Sequence, residues 1–253
     1  MTAHLSLGVA GTLDHGLIRD LAPAMEAAGF HALWVNDGSP GDTRTGGPLA
    51  ALAAAASVTS TLVLATGVIP IDRRTADAIA ADVEGLGLPQ ERLVIGIGSG
   101  GLRVGALDTM ARAIDDLHAA TRARIVLGAL GPKMRELGFS HADGSLLSWF
   151  TPEAAIAATR DRPPGTAILY ARSMAEEPAR ARLEGEAARY ASYRQYAAHF
   201  ARSGIEPLAA TIDLTSGPER LASFRAAVDE VVLRAITPSD ALDEYLRFLV
   251  AVR

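Results

Sequence analysis

The sequence predicts a single-domain (β/α)8 TIM barrel of the α/β class, on three observations. Eight short apolar runs rich in β-branched residues recur along the chain, each followed by a stretch with helical periodicity. The connections are mostly short, which requires parallel strands with both sheet faces covered. The 253 residues match the length of a closed eightfold barrel, about 250, better than an open doubly wound sheet. No linker or composition shift marks a boundary, so residues 1–253 are read as one domain.

The elements follow in order. LSLGVAG (5–11) is a buried strand, followed by a helix over 13–28 that Gly29 stops. ALWVND (32–37) is a strand ending in polar residues, and 49–58 is helical after a Gly/Pro/Ser/Thr loop. LVLATGVIP (62–70) is the third strand and 75–86 its helix. RLVIGIG (92–98) is the fourth strand, with a helix over 107–123. RIVLGAL (124–130) and GSLLSWF (144–150) are the fifth and sixth, each leading into a short helix, over 132–137 and 152–159. TAILYAR (166–172) is the seventh, followed by a long helical stretch, one helix or two, through Ala201 and by helix again over 215–227. EVVLRAI (230–236) is the eighth, and a helix over 239–252 closes the chain, with Pro238 at its first turn.

Composition narrows the function. With 49% hydrophobic and 21% charged residues the chain can fill a large core. A net charge of −5 gives no basic footprint, so neither nucleic acid nor an anionic membrane is the expected partner. The absence of cysteine removes disulfides, thiolate catalysis and cysteine metal sites. The opening residues lack a signal-peptide pattern, and the alanine-rich run from Leu49 is too short to span a bilayer. The expectation is a soluble cytoplasmic protein acting on a small molecule, without a metal site, since the six histidines are scattered.

Four places carry possible chemistry. RLVIGIGSGG (92–101) ends a buried strand in glycines, and Gly96, Gly98 and Gly101 have G-x-G-x-x-G spacing. A dinucleotide site would want an acid about 20 residues on, at a strand end. The nearest, Asp115 and Asp116, fall inside a predicted helix, so Gly98, Ser99 and Gly100 are read as a barrel-rim turn. Gly131, Pro132 and Lys133 open a short helix whose exposed N–H groups suit an anion. In Thr66-Gly67-Val68 an interior glycine points to a bulge or to close approach by a ligand. Asp37 ends the second strand, and Arg44, Arg73 and Arg74 follow strands two and three, where each could hold an anionic tail. Tyr190, Tyr193, Tyr196 and Phe200 share one face of a predicted helix and are read as packing. No Walker loop, G-x-S-x-G elbow or H-E-x-x-H pair is present.

Taken together, ALWVND, TGVIPIDRR, LPQERLVIGIGSG and RIVLGALGPKMRELGFSHADGSLLSWFTPE resemble the luciferase-like superfamily of flavin- and deazaflavin-dependent oxidoreductases. The resemblance covers most of the first 155 residues and the remainder more loosely. It implies a barrel that binds FMN or coenzyme F420 at the C-terminal ends of its strands, and a non-prolyl cis bond after strand three, here Gly67–Val68. It implies that Thr66, Gly67, Val68, Gly98, Ser99, Gly100, Gly131, Pro132, Lys133 and Asp37 surround the cofactor. F420 is favoured slightly, because the GIGSG and GPKM versions look more like deazaflavin members.

The departures from the family are specific. Some relatives carry a histidine after the strand-two aspartate and a glutamate after the strand-four glycines; here these are Gly38 and Gly101. No catalytic residue is therefore assigned. The usual long insertion after strand four is shortened to one helix, and the family's dimer contact would use the helices at 49–58 and 75–86. The reading is an oxidoreductase moving a hydride or two electrons between bound F420 or FMN and a small organic substrate. The alternatives are an oxygen-using FMN monooxygenase, a non-catalytic cofactor-binding protein, and an unrelated barrel enzyme for a phosphorylated metabolite.

Overall fold

The computed structural model describes residues 3–38 and 47–252. The strands are β1 (His4–Val9), β2 (Ala32–Val35), β3 (Val63–Thr66), β4 (Ile69–Pro70), β5 (Leu93–Gly98), β6 (Arg124–Gly128), β7 (Gly144–Ser148), β8 (Thr166–Met174), β9 (Ile212–Asp213) and β10 (Glu230–Ala235). Between them run α1 (His15–Ala27), α2 (Gly47–Ala56), α3 (Ala76–Gly85), α4 (Ala106–Ala120), α5 (Pro132–Ser140) and α6 (Pro152–Thr159). Then follow α7 (Arg180–Ser192), α8 (Arg194–Ser203), α9 (Glu219–Arg225) and α10 (Leu242–Ala251).

All pairings are parallel, and β10 joins both β8 and β1, which closes the eight-stranded barrel. Closure leaves the eight barrel strands paired on both sides, and alternate residues along each strand then face the interior or the helices. Both faces are buried, which is why the runs read as nearly continuous apolar sequence. Ala32, Trp34, Ala65, Val94, Val126, Leu146, Ile168, Tyr170 and Val232 fill the interior. The outward set, including Leu7, Leu33, Leu64, Ile95, Leu127 and Leu169, packs beneath the helices. Near the N-terminal end of the barrel the buried Glu230 carboxylate accepts from Ser6 Oγ at 2.6 Å and Trp34 Nε1 at 2.8 Å.

Several expected boundaries move. The third predicted strand is two, β3 and β4, separated by Gly67 and Val68, whose peptide bond is cis. Pairing with β5 runs Ala65↔Val94, then resumes at Ile69↔Ile97. The long helical stretch after β8 breaks at Tyr193, whose φ −79°, ψ 127° is extended. The last helix starts at Leu242 rather than 239, because the Glu244 carboxylate ties up the preceding turn through Ser239 and the Ala241 amide. The helix expected over 215–227 is α9 alone, preceded by a single tight turn, and the two-residue β9 was not expected.

One contact outside the site has a pH signature. Glu26 on α1 accepts from the Ser60, Thr61 and Leu62 amides at 2.9, 2.6 and 2.9 Å and from Thr61 Oγ1 at 2.8 Å. The amide bond from Thr61 is the largest influence, and together these donors hold its pKa down at about 2, against an ordinary 4.5. A depressed folded-state pKa contributes stability above about pH 4.5, lost as pH falls toward 2. Glu26→Gln is therefore expected to destabilise at pH 7, with the gap to wild type in urea melts closing as pH approaches 2. A gap of constant size from pH 7 to pH 3 would refute the linkage.

Candidate active site

The strands deliver their C-terminal ends to one open cleft of about 1890 Å³. Its walls differ in kind. One consists of glycine positions on β5 and β6 with the β3–β4 bulge, Gly67, Val68, Gly98 and Gly128. The bulge lays the Val68 side chain across that wall. A Cβ at Gly98 would sit 2.7 Å from Val68 Cγ2, and one at Gly128 3.0 Å from Val68 Cγ1. Real carbon contacts do not come as close as 2.7 Å, so a side chain at Gly98 would displace the valine, and one at Gly128 would press on it. The result is a smooth, side-chain-poor surface suited to a flat ring.

The rim continues this wall. Gly100 has φ +56°, and the adjoining Gly101 amide donates to Asp72 Oδ2 at 2.7 Å. This turn is thus held by a carboxylate of the chain itself. The start of α5 is different. No side chain caps its N-terminus, and nothing lies within 4 Å of where a Gly131 Cβ would be. The uncapped helix start, its dipole and Lys133 thus face the cleft together, an arrangement that suits an anion. Asp37, on the opposite rim, pairs with Arg73 at 2.8 Å. Burial raises the Asp37 pKa, although Arg73 and Arg74 pull it down.

Nine of the ten residues anticipated from the sequence line this cleft: Asp37, Gly67, Val68, Gly98, Ser99, Gly100, Gly131, Pro132 and Lys133. Thr66 does not. Its hydroxyl is fully buried, donating to Gly96 O at 3.0 Å and accepting from Gly96 N at 2.9 Å, so it fastens β3 to β5. Arg73 lines the cleft, whereas Arg74 pairs with Asp82 on α3 at 3.2 Å. Arg44 lies outside the described residues.

The other wall was not anticipated. Tyr170 and Arg172 from β8, Arg234 from β10 and Ser148 from β7 face the cleft. Arg172 bonds Glu186 of α7 at 3.0 Å and Ser148 Oγ at 2.7 Å. Its guanidinium lies 4.4 Å from the ring centroids of both Trp149 and Tyr190. Burial works against the Glu186 charge, but Arg172 and Arg234 outweigh it and lower its pKa. Burial pushes the Tyr170 phenol up to about 12, so it is a neutral hydrogen-bond donor at physiological pH. Tyr190, Tyr193 and Tyr196, read from sequence as packing, sit over this wall from two helices rather than one. Tyr190 and Phe200 do pack on Trp149, at 5.2 and 5.7 Å between ring centroids. The available signal was an arginine closing each of two apolar strands, TAILYAR and EVVLRAI.

Comparison with known proteins agrees with this architecture. Residues 6–122 match the family described as luciferase-like monooxygenase. None of the curated proteins matches the sequence. Among solved structures, an F420-dependent secondary alcohol dehydrogenase bound to an F420–acetone adduct is similar with a TM-score of 0.70 at 13% identity, covering 100% of both chains. The coenzyme F420-dependent tetrahydromethanopterin reductase of Methanopyrus kandleri gives 0.66 at 15% identity, covering 98% of each chain. A monooxygenase from Streptomyces bottropensis gives 0.70 at 17% identity, covering 98% of this chain and 97% of the other. At such identities the likeness is one of fold.

Proposed function

We propose that this chain, luciferase-like in sequence over residues 6–122 and similar in fold over its whole length to F420-dependent and monooxygenase structures, is a flavin- or deazaflavin-dependent oxidoreductase. It would transfer a hydride or two electrons between bound F420 or FMN and a small organic substrate, as one domain in the cytoplasm. The observation that carries the reading is the glycine wall: Val68 laid over Gly98 and Gly128, continuous with the uncapped start of α5. A flat ring fits against the first and a phosphate against the second.

The residues suit such a cofactor. Gly67, Val68 and Gly98 would back the ring, Gly131, Pro132 and Lys133 would take the phosphate, and Asp37 with Arg73 would close the far rim. Once bound, the cofactor supplies the redox step, and the protein binds, orients and excludes water. Among the described residues no histidine lines the cleft, and its acids Asp37, Glu186 and Asp240 each pair with an arginine. This favours chemistry that leans on the cofactor, and gives weight to a second reading as a cofactor-binding protein without turnover.

Titration of the purified chain with FMN and with F420, followed by quenching of cofactor fluorescence, tests the proposal. Binding of one at micromolar concentration is expected, and binding of neither rejects it. A bound, reduced cofactor that neither oxygen nor candidate acceptors oxidise would select the second reading. We also propose a homodimer through α2 and α3. The half-exposed positions of α2 are Gly47 and the alanines Ala50, Ala53, Ala54 and Ala56, which permit close helix approach. Light scattering giving a monomer mass would reject this contact.

A further inference from the structure

Arg172 and Arg234 are register partners on the adjacent parallel strands β8 and β10, so both guanidinium groups enter the barrel mouth side by side. They are differently served. Arg172 has Glu186, Ser148 and two aromatic faces. Arg234 is 7% exposed and has no carboxylate within ion-pair distance among the described residues; its Nη1 donates to the Ala235 carbonyl. The nearby acids are committed elsewhere, Glu186 to Arg172 and Asp240 to Arg182. Glu186 and Asp240 feel the Arg234 charge but are each in closer contact with another arginine, so the buried Arg234 shares its counter-charge with a second cation and gains from an anion brought to it directly.

A second orphan lies on the same wall. Tyr170 is 4% exposed, faces the cleft from β8 two residues before Arg172, and its hydroxyl has no hydrogen-bond partner. Arg234 offers a planar fork and Tyr170 a single O–H. That donor set matches a carboxylate, which accepts two parallel bonds from a guanidinium and a third from a phenol.

We infer that Arg234 and Tyr170 form a carboxylate seat on the wall facing the glycine surface, so that the substrate is a small organic acid held by its carboxylate. This rests on the oxidoreductase reading for the word substrate, but the seat itself does not need the cofactor. The proposed cofactor surface is built from β3 to β6 and α5 and the seat from β8 and β10, the two meeting where the Tyr170 ring packs against Gly67.

The test is isothermal titration of the chain, without added cofactor, with sodium benzoate and with benzamide, a neutral probe of the same shape. Benzoate is expected to bind about tenfold or more tightly. Arg234→Gln should erase that preference and Tyr170→Phe should weaken benzoate, while both variants still quench the fluorescence of whichever cofactor binds wild type. Equal binding of the two probes by the wild-type chain overturns the inference without any variant needing to fold. A benzoate preference that survives Arg234→Gln belongs to another cation and overturns it too. So does loss of cofactor binding in that variant with benzoate binding intact. Failure of the cofactor titration alone would leave the seat standing and reject only the redox reading.

Discussion

Arg172→Ala is expected to destabilise the protein by about 3–5 kcal/mol, because it removes the closest partner of a buried carboxylate and leaves Glu186 only the longer 3.6 Å pair with Arg189. The Arg172 and Glu186 side chains are 5% and 13% exposed, so water screens little of the loss. The same guanidinium also fills the space between Trp149 and Tyr190. Removing it opens a cavity lined by those rings and unties Ser148. For a chain of this size the melting temperature should fall by roughly 6–20 °C. Urea unfolding measures it, and a change below about 1 kcal/mol would mean that the pair is solvated in solution. Arg172→Met with Glu186→Leu should recover much of the loss, because a buried ion pair replaced by apolar groups of similar volume is often neutral.

Gly98→Val should weaken cofactor binding by tenfold or more while costing the fold only about 1–3 kcal/mol. The added Cβ starts 2.7 Å from Val68 Cγ2, and Val68 is β-branched with few rotamers available. Val68 must then move off the wall into the cleft, or the bulge must shift. Either spoils the flat surface that a ring would lie on. Quenching titrations on variant and wild type, beside urea melts, separate the two effects. Unchanged affinity in a folded variant would place the ring elsewhere. Gly85→Ala, at the end of α3 outside the cleft and with nothing within 4 Å of its Cβ, serves as the comparison and should be mild.

The barrel was legible because periodicity and length survive without tertiary information: continuous apolar runs alternating with helices in 253 residues leave few topologies. The glycine wall was legible for a related reason, since glycine at a strand end marks a place where a side chain would be in the way. What failed was pairing at a distance. Thr66 looked like a ligand contact but bonds Gly96 on both sides of its hydroxyl, and a serine or threonine in a strand does not announce its partner. Nor did the sequence show that Asp72, from the loop after β4, holds the Gly101 amide at the end of the strand-four turn. Arg172 and Arg234 read as strand ends, because their meeting depends on β10 lying beside β8, which only barrel closure brings about.

That closure also assigns the two walls to different parts of the gene. The smooth wall comes from residues 67–133 and the charged wall from residues 148–234. A mutation that retunes one side has no covalent neighbour on the other. Exchange or drift in the second half of the chain can therefore alter the charged wall while the glycine wall stays as it was. Double variants drawn one from each wall, such as Gly98→Val with Arg234→Gln, should accordingly show additive losses of stability.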